Sequence, residues 1–211
     1  MLLLGGCVQP SMAPNIDGAT ARIFDALGVQ MMLAPRAGCC GALRFNMNDQ
    51  DGGLAHARRN IDAWWPYVQA GAEAIVMNAS GCGVKVKEYG HLLARDTAYS
   101  AKAERIAAMT RDVSEILPEF EAPLKAKTAG KIGKRIAYHS PCTLQHRQQI
   151  RGKVEAVLRA VAIDVQLCAD SNLCCGSAGT YSVLQPVLSY RLRDNKLNKL
   201  QACKPDMIES G

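Results

Sequence analysis

The sequence predicts an α/β fold with two tandem repeats, each a small parallel sheet flanked by helices, with cysteines at the carboxyl ends of the strands. Short apolar runs alternate with patterns of helical spacing, which is typical of parallel sheets with right-handed crossovers. The same alternation restarts in the second half of the chain. One cysteine pattern also occurs twice, 135 residues apart. Together these observations predict a duplicated unit.

The repeated cysteine pattern is the most informative feature of the chain. Cys7 is followed by 31 residues and then by Cys39-Cys40-Gly41. Cys142 is followed by 31 residues and then by Cys174-Cys175-Gly176. Chance rarely repeats so long a spacing with the same tripeptide, so the cysteines of each copy are expected to meet in space. Thiolates that converge are typically ligands of soft metal centres.

The first repeat is predicted to span residues 1–117. Its strands are expected at Met1–Leu4, Val29–Leu33 and Ala74–Met77. Its helices are expected at Ile16–Leu27 and Leu54–Val68, from about Val84, and through Ile106, Met109, Val113, Ile116 and Leu117. The segments Pro35–Gly41 and Asn78–Gly83 are predicted to be loops after the second and third strands.

A linker and a second copy of the pattern are predicted to follow. The stretch 118–134 combines prolines and glycines with charges, which is typical of a linker. The second repeat, 135–211, is expected to have strands at Arg135–His139 and Ile163–Leu167 and a third from Asp206. Helical spacing predicts helices through Val154–Val161 and Leu184–Leu200.

This arrangement predicts where the cysteines meet. Parallel strands share one carboxyl edge, so Cys7, Cys39, Cys40 and Cys82 are expected to converge there. Each loop leads into a helix, whose free amide groups and positive potential are expected to lower thiol pKa values. Adjacent side chains diverge in an extended chain, so Cys39 and Cys40 can both be ligands only if the backbone turns sharply at Gly38 or Gly41.

The residues leave several kinds of site open. Four thiolates in the first repeat suit a [4Fe–4S] cluster, with tetrahedral zinc, a redox-active dithiol or merely buried cysteines as alternatives. The second repeat supplies only Cys142, Cys174 and Cys175, so its site is expected to be empty or labile. Cys168 and Cys203 have no counterparts in the first repeat and are expected to be small core or surface residues.

The histidines carry weaker expectations. His139 and His146 flank Cys142 and are expected to be structural, with outer ligand, proton carrier or hydrogen-bond donor as alternatives. His56 and His91 lie in helical segments away from the cysteine loops and receive no role.

Composition and missing motifs exclude several function classes. The apolar fraction of 48% suffices for a core, and the net charge of +6 includes a basic run near the linker that lacks interleaved aromatics. That run predicts a solvated segment, and nucleic acid is not an expected partner. We find no secretion signal and no spanning segment, which favours a cytoplasmic protein or one peripheral to the inner face of the membrane. Nucleotide and hydrolase motifs are absent, so the chain offers no site that oxidises a substrate.

Several blocks of sequence resemble a known family. The repeated Cys-x31-Cys-Cys-Gly is similar to the cysteine-rich "CCG" domain of heterodisulfide reductases and of iron–sulfur subunits of hydroxyacid dehydrogenases. The resemblance is closest to the iron–sulfur subunit of glycolate oxidase. It includes three longer blocks, which are Asn78-Ala-Ser-Gly-Cys-Gly with Lys87-Glu-Tyr-Gly-His, His139-Ser-Pro-Cys-Thr-Leu-Gln-His, and Leu173-Cys-Cys-Gly-Ser-Ala-Gly-Thr-Tyr with Arg193-Asp-Asn-Lys.

The resemblance implies an electron relay. In this family an iron–sulfur subunit receives electrons from a flavoprotein partner that oxidises glycolate and passes them toward the quinone pool. Lactate, glycerol-3-phosphate and heterodisulfide reductase systems, or a non-redox assembly module that docks the flavin subunit, are the alternatives. Ala79 replaces the first cysteine of the family's Cys-x-x-Cys. The chain also lacks ferredoxin motifs, and the second counterpart of Cys82 would fall at position 217, so a fragment truncated at both ends is expected.

Overall fold

A computed structural model describes residues 1–129 and 133–210. The chain divides into two compact units, Met1–Val113 and Ser114–Gly211. Each unit contains one small parallel sheet with helices around it, so the predicted α/β class with two parallel sheets is confirmed. Of the predicted linker, residues 130–132 lie outside the described residues, and the predicted domain boundaries stay a prediction.

The sheet of the first unit has four parallel strands. In chain order they are β1 Leu2–Leu3, β2 Met32–Leu33, β3 Ile75–Met77 and β4 Thr110–Asp112. Their spatial order is β2-β1-β3-β4, with Leu2 opposite both Met32 and Ile75. The central strands β1 and β3 are fully buried, which explains why they consist of continuous apolar runs.

Seven helices accompany this sheet in the described part of the first unit. They are α1 Gln9–Met12, α2 Asn15–Ala26, α3 Ala42–Asn46, α4 Gln50–Gln69, α5 Ser80–Lys87, α6 Tyr89–Leu92 and α7 Ser100–Met109. The longest, α4, begins at the cap Asp49, whose carboxylate accepts the Gly52 amide at 2.9 Å. Its apolar face buries Ile61 and Trp64 completely against the sheet core.

Two predictions for the first unit are wrong. The helix predicted through Leu117 ends at Met109, and Thr110–Asp112 then forms the strand β4 beside β3. A short helix, α8 Val113–Ile116, follows. The predicted loop Asn78–Gly83 is also shorter than expected, because α5 begins at Ser80 and packs its buried Val86 into the core.

The sheet of the second unit has three parallel strands, as predicted. They are β5 Arg135–His139, β6 Asp164–Leu167 and β7 Met207–Ser210, in the spatial order β6-β5-β7. The accompanying helical segments are a 3₁₀ turn Leu117–Phe120, α9 Glu121–Thr128, a π-helical turn Thr143–Arg147, α10 Lys153–Ala160, α11 Tyr181–Leu184 and α12 Pro186–Gln201. The 3₁₀ turn and α9 thus occupy much of the segment predicted as a linker.

The core of the second unit consists of small clusters. One packs Ile136, Tyr138 and Val165 together, and the other contains Ala137, Cys168 and Leu200. Cys168 is 5% exposed, in keeping with its expected role as a small core residue. Across residues 1–129 and 133–210, no helix combines the length and the apolar character needed to cross a bilayer.

Candidate metal centre

The three cysteine-bearing segments of the first unit meet at the carboxyl edge of its sheet. Cys7 follows β1, Cys39 and Cys40 follow β2, and Cys82 lies in the first turn of α5 after β3. The Cys40 thiol donates to the Cys82 sulfur at 3.3 Å. Cys39 interacts through its side chain with both Cys7 and Cys40. The structure therefore brings the four predicted residues into one continuous chain of sulfur contacts.

A sharp turn at Gly41 lets both adjacent cysteines face this cluster. Gly41 has a φ of 90°, and its amide donates to the Cys39 sulfur at 3.5 Å. A Cβ atom at Gly41 would lie only 2.8 Å from the Gly53 carbonyl oxygen of α4. Glycine is therefore required here for both the backbone conformation and the close approach of α4.

The second unit repeats this turn. Gly176 has a φ of 82°, and its amide donates to the Cys174 sulfur at 3.3 Å. A Cβ atom at Gly176 would lie 2.3 Å from the Ser189 carbonyl oxygen of α12. Amide hydrogen bonds to cysteine sulfur are among the features that set the potential of iron–sulfur centres. The Cys-Cys-Gly tripeptide thus builds the same local geometry twice.

A buried polar pair holds the Cys39–Cys40 loop in place. Tyr89 donates its hydroxyl hydrogen to the Cys40 carbonyl oxygen at 2.8 Å. The Asn60 amide donates to the Cys39 carbonyl oxygen at 3.1 Å and to the Tyr89 hydroxyl at 3.1 Å, and it accepts the Gly38 amide at 2.9 Å. Asn60 and Tyr89 are both 0% exposed, so these bonds are made without competition from water.

A second polar network joins the segment after Cys7 to the segment before Cys82. The Gln9 side chain donates to Asp17 and to Asn78, each at 2.8 Å. Asn78 in turn donates to Asp17 at 2.9 Å and to Thr20 at 3.1 Å. The ends of β1 and β3 are therefore tied to α2, which fixes the spacing of the loops that carry Cys7 and Cys82.

The thiol pKa values do not follow the expectation from the helix N-termini. Contact with Cys40, then burial, raises the pKa of Cys39 to about 12. The contact with Cys39 lowers the pKa of Cys40, but its bond to Cys82 and its burial outweigh this and raise it to about 12. Burial chiefly raises the pKa of Cys7 as well, whereas the bond from Cys40 lowers that of Cys82. Clustering of thiols thus dominates over the helix potential.

The three cysteines of the second unit also lie near one another. Burial raises the pKa of Cys142, and the negative charges of Cys174 and Cys175 raise it further. Gln145 links the loops that carry them, because its amide donates to the Ser140 carbonyl oxygen at 2.8 Å and to the Ser171 carbonyl oxygen at 3.4 Å.

The donor set fits a soft metal centre. Four thiols from three segments are the ligands that iron–sulfur clusters and zinc share. Within the described ranges, no three His, Cys, Asp or Glu side chains already surround the position of a single ion. The Cys40–Cys82 separation of 3.3 Å is also shorter than the roughly 3.8 Å that a tetrahedral zinc at 2.3 Å from each sulfur imposes. Metal binding must therefore release the thiol protons and spread the sulfurs apart.

Sequence reasoning missed several residues around these cysteines. His56, which received no role, interacts with Cys39 from α4. Asn60 carried no recognisable pattern, and Tyr89 and Lys196 were noticed only within the family-like blocks. His139 is 6% exposed and contacts Ser210 through Nδ1 at 3.0 Å, whereas its Nε2 has no hydrogen-bond partner in the described part of the chain.

Comparison with known families agrees with the duplicated cysteine geometry. The model of the cysteine-rich domain, CCG, matches residues 1–87 and 136–211. The chain belongs to this family. The two matched ranges contain all seven cysteines that converge in the two units.

Individual relatives bear the names of iron–sulfur and lactate-utilisation proteins. The chain is 50% identical over 208 residues to the glycolate oxidase iron-sulfur subunit of Escherichia coli strain K12. It is 26% identical over 204 residues to the probable glycolate oxidase iron-sulfur subunit of Bacillus subtilis strain 168. It is 24% identical over 207 residues to lactate utilization protein A of Shouchella clausii strain KSM-K16.

These matches cover nearly all of the chain but different shares of the relatives. The aligned regions include 99%, 96% and 96% of this chain, respectively. The chain spans about half the length of the two glycolate oxidase relatives, 50% and 45%, and 82% of the lactate utilization protein.

Proposed function

We propose that the chain is an iron–sulfur electron-transfer component of a glycolate oxidase, in which Cys7, Cys39, Cys40 and Cys82 hold a [4Fe–4S] cluster. The observation that carries the proposal is the convergence of these four thiols at one sheet edge. The partners would be a flavoprotein subunit, which oxidises glycolate, and a quinone-side acceptor at the membrane. The resemblance to the E. coli subunit supports this choice of reaction.

The residues of the chain bind and orient the centre in this proposal. Four thiolates would hold the cluster, which, when bound, accepts and releases single electrons. Asn60 and Tyr89 fix the Cys39–Cys40 loop, so the sulfurs need little rearrangement between redox states. The Gly41 amide donates to the Cys39 sulfur and thereby stabilises its negative charge. The surrounding buried side chains exclude water from one side of the site.

Anaerobic purification tests the proposal. We expect a brown protein that contains iron and acid-labile sulfide and gives a paramagnetic signal on reduction. Cys82→Ser should lose most of the iron, because the cluster loses one of four ligands. Cys203→Ser is the matched control, since Cys203 lies outside both clusters and its thiol contacts only the Leu167 carbonyl oxygen at 3.9 Å. It should retain its iron in full.

Two outcomes would contradict the proposal. Full retention of iron in Cys82→Ser would refute the ligand assignment. One equivalent of zinc per site without sulfide would instead support the alternative of a non-redox assembly module, in which the metal only fixes the loops.

A further inference from the structure

A lysine is buried in the second unit without a carboxylate to neutralise it. Lys196 lies on α12 and is 2% exposed. Its ammonium donates to the backbone carbonyl oxygens of Ser171 at 2.9 Å and Asp170 at 3.3 Å. The Asp170 carboxylate pairs instead with Lys199, at 2.9 Å. Within residues 1–129 and 133–210, Lys196 forms no ion pair.

Such a residue is costly unless a negative charge lies nearby. A buried ammonium that meets only neutral carbonyl groups loses its hydration and gains little Coulomb energy in return. The structure places anionic candidates close to it, because the charge of Lys196 acts on Cys142. The Ser171 carbonyl oxygen that accepts from Lys196 also accepts from Gln145, three residues after Cys142. Lys196 therefore lies where the loops of Cys142 and Cys174 approach each other.

The neighbouring histidine does not supply the missing negative charge. Burial and the charge of Lys196 both lower the pKa of His139, which favours a neutral ring. Its Nε2 also has no hydrogen-bond partner in the described residues, so polar capacity at this edge is unused by the protein itself.

The first unit shows that a positive charge is not needed to hold such a loop. Gly53 on α4 and Ser189 on α12 make equivalent backbone approaches to Gly41 and Gly176. Seven residues after Gly53 comes Asn60, and seven residues after Ser189 comes Lys196. Both donate to loop carbonyl groups before the cysteines, but Asn60 does so as a neutral amide. The charge at position 196 therefore requires a separate explanation.

We propose that Lys196 is the internal counter-cation of the second cysteine site, where it offsets the negative charge of Cys142, Cys174 and Cys175 when these bind a metal. The inference rests on the assignment of these three cysteines as ligands in the proposed function. Lys196 acts through electrostatics and through the loop it holds, and it is a positioning residue and not a ligand.

Zinc titration tests the charge role independently of any iron–sulfur cluster. The starting protein carries Cys7→Ser and Cys82→Ser, which disable the first site, and circular dichroism verifies that it folds. Calorimetric titration with Zn²⁺ alone, under reducing conditions, then measures binding at the second site. Lys196→Met removes the charge at similar volume, and Lys196→Gln removes it but keeps a donor. Lys199→Met is the matched control one turn away, at an exposed, solvent-screened position.

We expect the starting protein to bind one Zn²⁺, and both Lys196 variants to bind it about 10–100-fold more weakly, the usual effect of losing an outer partner of a metal ligand. Lys199→Met should stay within about twofold of the starting protein, because solvent screens its charge. The metal-free Lys196→Met protein should be as resistant to denaturant as the starting protein or more so, since a buried unpaired charge is removed.

Three results would overturn the proposal. They are the absence of zinc binding at this site, unchanged affinity in Lys196→Met, and full affinity in Lys196→Gln, which would show that only hydrogen bonding matters. A metal-free Lys196→Met protein that fails to fold would also overturn it, in favour of a purely structural lysine. These results are separate from the iron content of Cys82→Ser, which tests the proposed function at the first site.

Discussion

At the scale of single residues, buried polar side chains organise the cysteine loops. Tyr89→Phe removes the donor to the Cys40 carbonyl oxygen and the acceptor of the Asn60 amide. Two buried groups would lose a partner, so we expect unfolding to become easier by about 1–3 kcal/mol. Chemical denaturation of the metal-free protein measures this loss. Iron retained after purification should fall as well, because the loop that carries two ligands is less well held.

A second tyrosine provides the control for this prediction. The Tyr99 hydroxyl donates to Asp62 at 2.8 Å on the exposed surface, where water can replace the lost bond. Tyr99→Phe should therefore change stability much less and leave the iron content unchanged. Equal losses in the two variants would show that Tyr89 has no special role in the site.

The cysteines could be predicted from the sequence, whereas most of their partners could not. The ligand candidates repeat with a fixed spacing, and that spacing is visible in one dimension. Asn60 and Tyr89 instead meet carbonyl groups 21 and 49 residues away, at positions that only the folded chain defines. The same holds for Lys196, whose acceptors lie 25 and 26 residues before it. Backbone acceptors leave no mark on the sequence.

At the scale of structural elements, the turn after the two cysteines determines how α4 approaches the site. Gly41 and Gly71 both have positive φ values, 90° and 97°, but a Cβ atom meets other atoms only at Gly41. Gly71→Ala should cost about 1–2 kcal/mol from backbone strain alone. Gly41→Ala should cost more, because α4 must also move away from the loop. Thermal unfolding and iron content check this difference, and similar behaviour of the two variants would contradict it.

The strands and the long helices followed from apolar spacing, but two element boundaries did not. Ile106, Met109, Val113 and Ile116 fit a helical period even though the three-residue strand β4 interrupts it. Such a short edge strand depends on the presence of β3 beside it, which is a tertiary effect. The glycines on either side of Cys82 predicted a loop, yet α5 begins before them because its buried side packs into the core.

At the scale of the whole molecule, duplication produced two units that share a cysteine turn but differ in their cores and charges. The first unit has one large hydrophobic cluster, and the second has smaller ones. Asn60 and Lys196 occupy equivalent positions with different charge, so the two sites are expected to differ in their affinity for metal. The sequence showed the duplication, but this difference became visible only when α4 and α12 could be compared in the structure.

Metal removal should destabilise the first unit, and a natural probe can report it. Both tryptophans of the chain, Trp64 and Trp65, lie on α4 of that unit. A metal that binds only the folded state adds about 2.7 kcal/mol when its concentration is 100 times the dissociation constant. We therefore expect chelation to lower the unfolding temperature followed by tryptophan emission wavelength. Cys40→Ser should unfold at the lower temperature with or without metal, and a chelator effect that persists in this variant would show that the stabilising metal lies elsewhere.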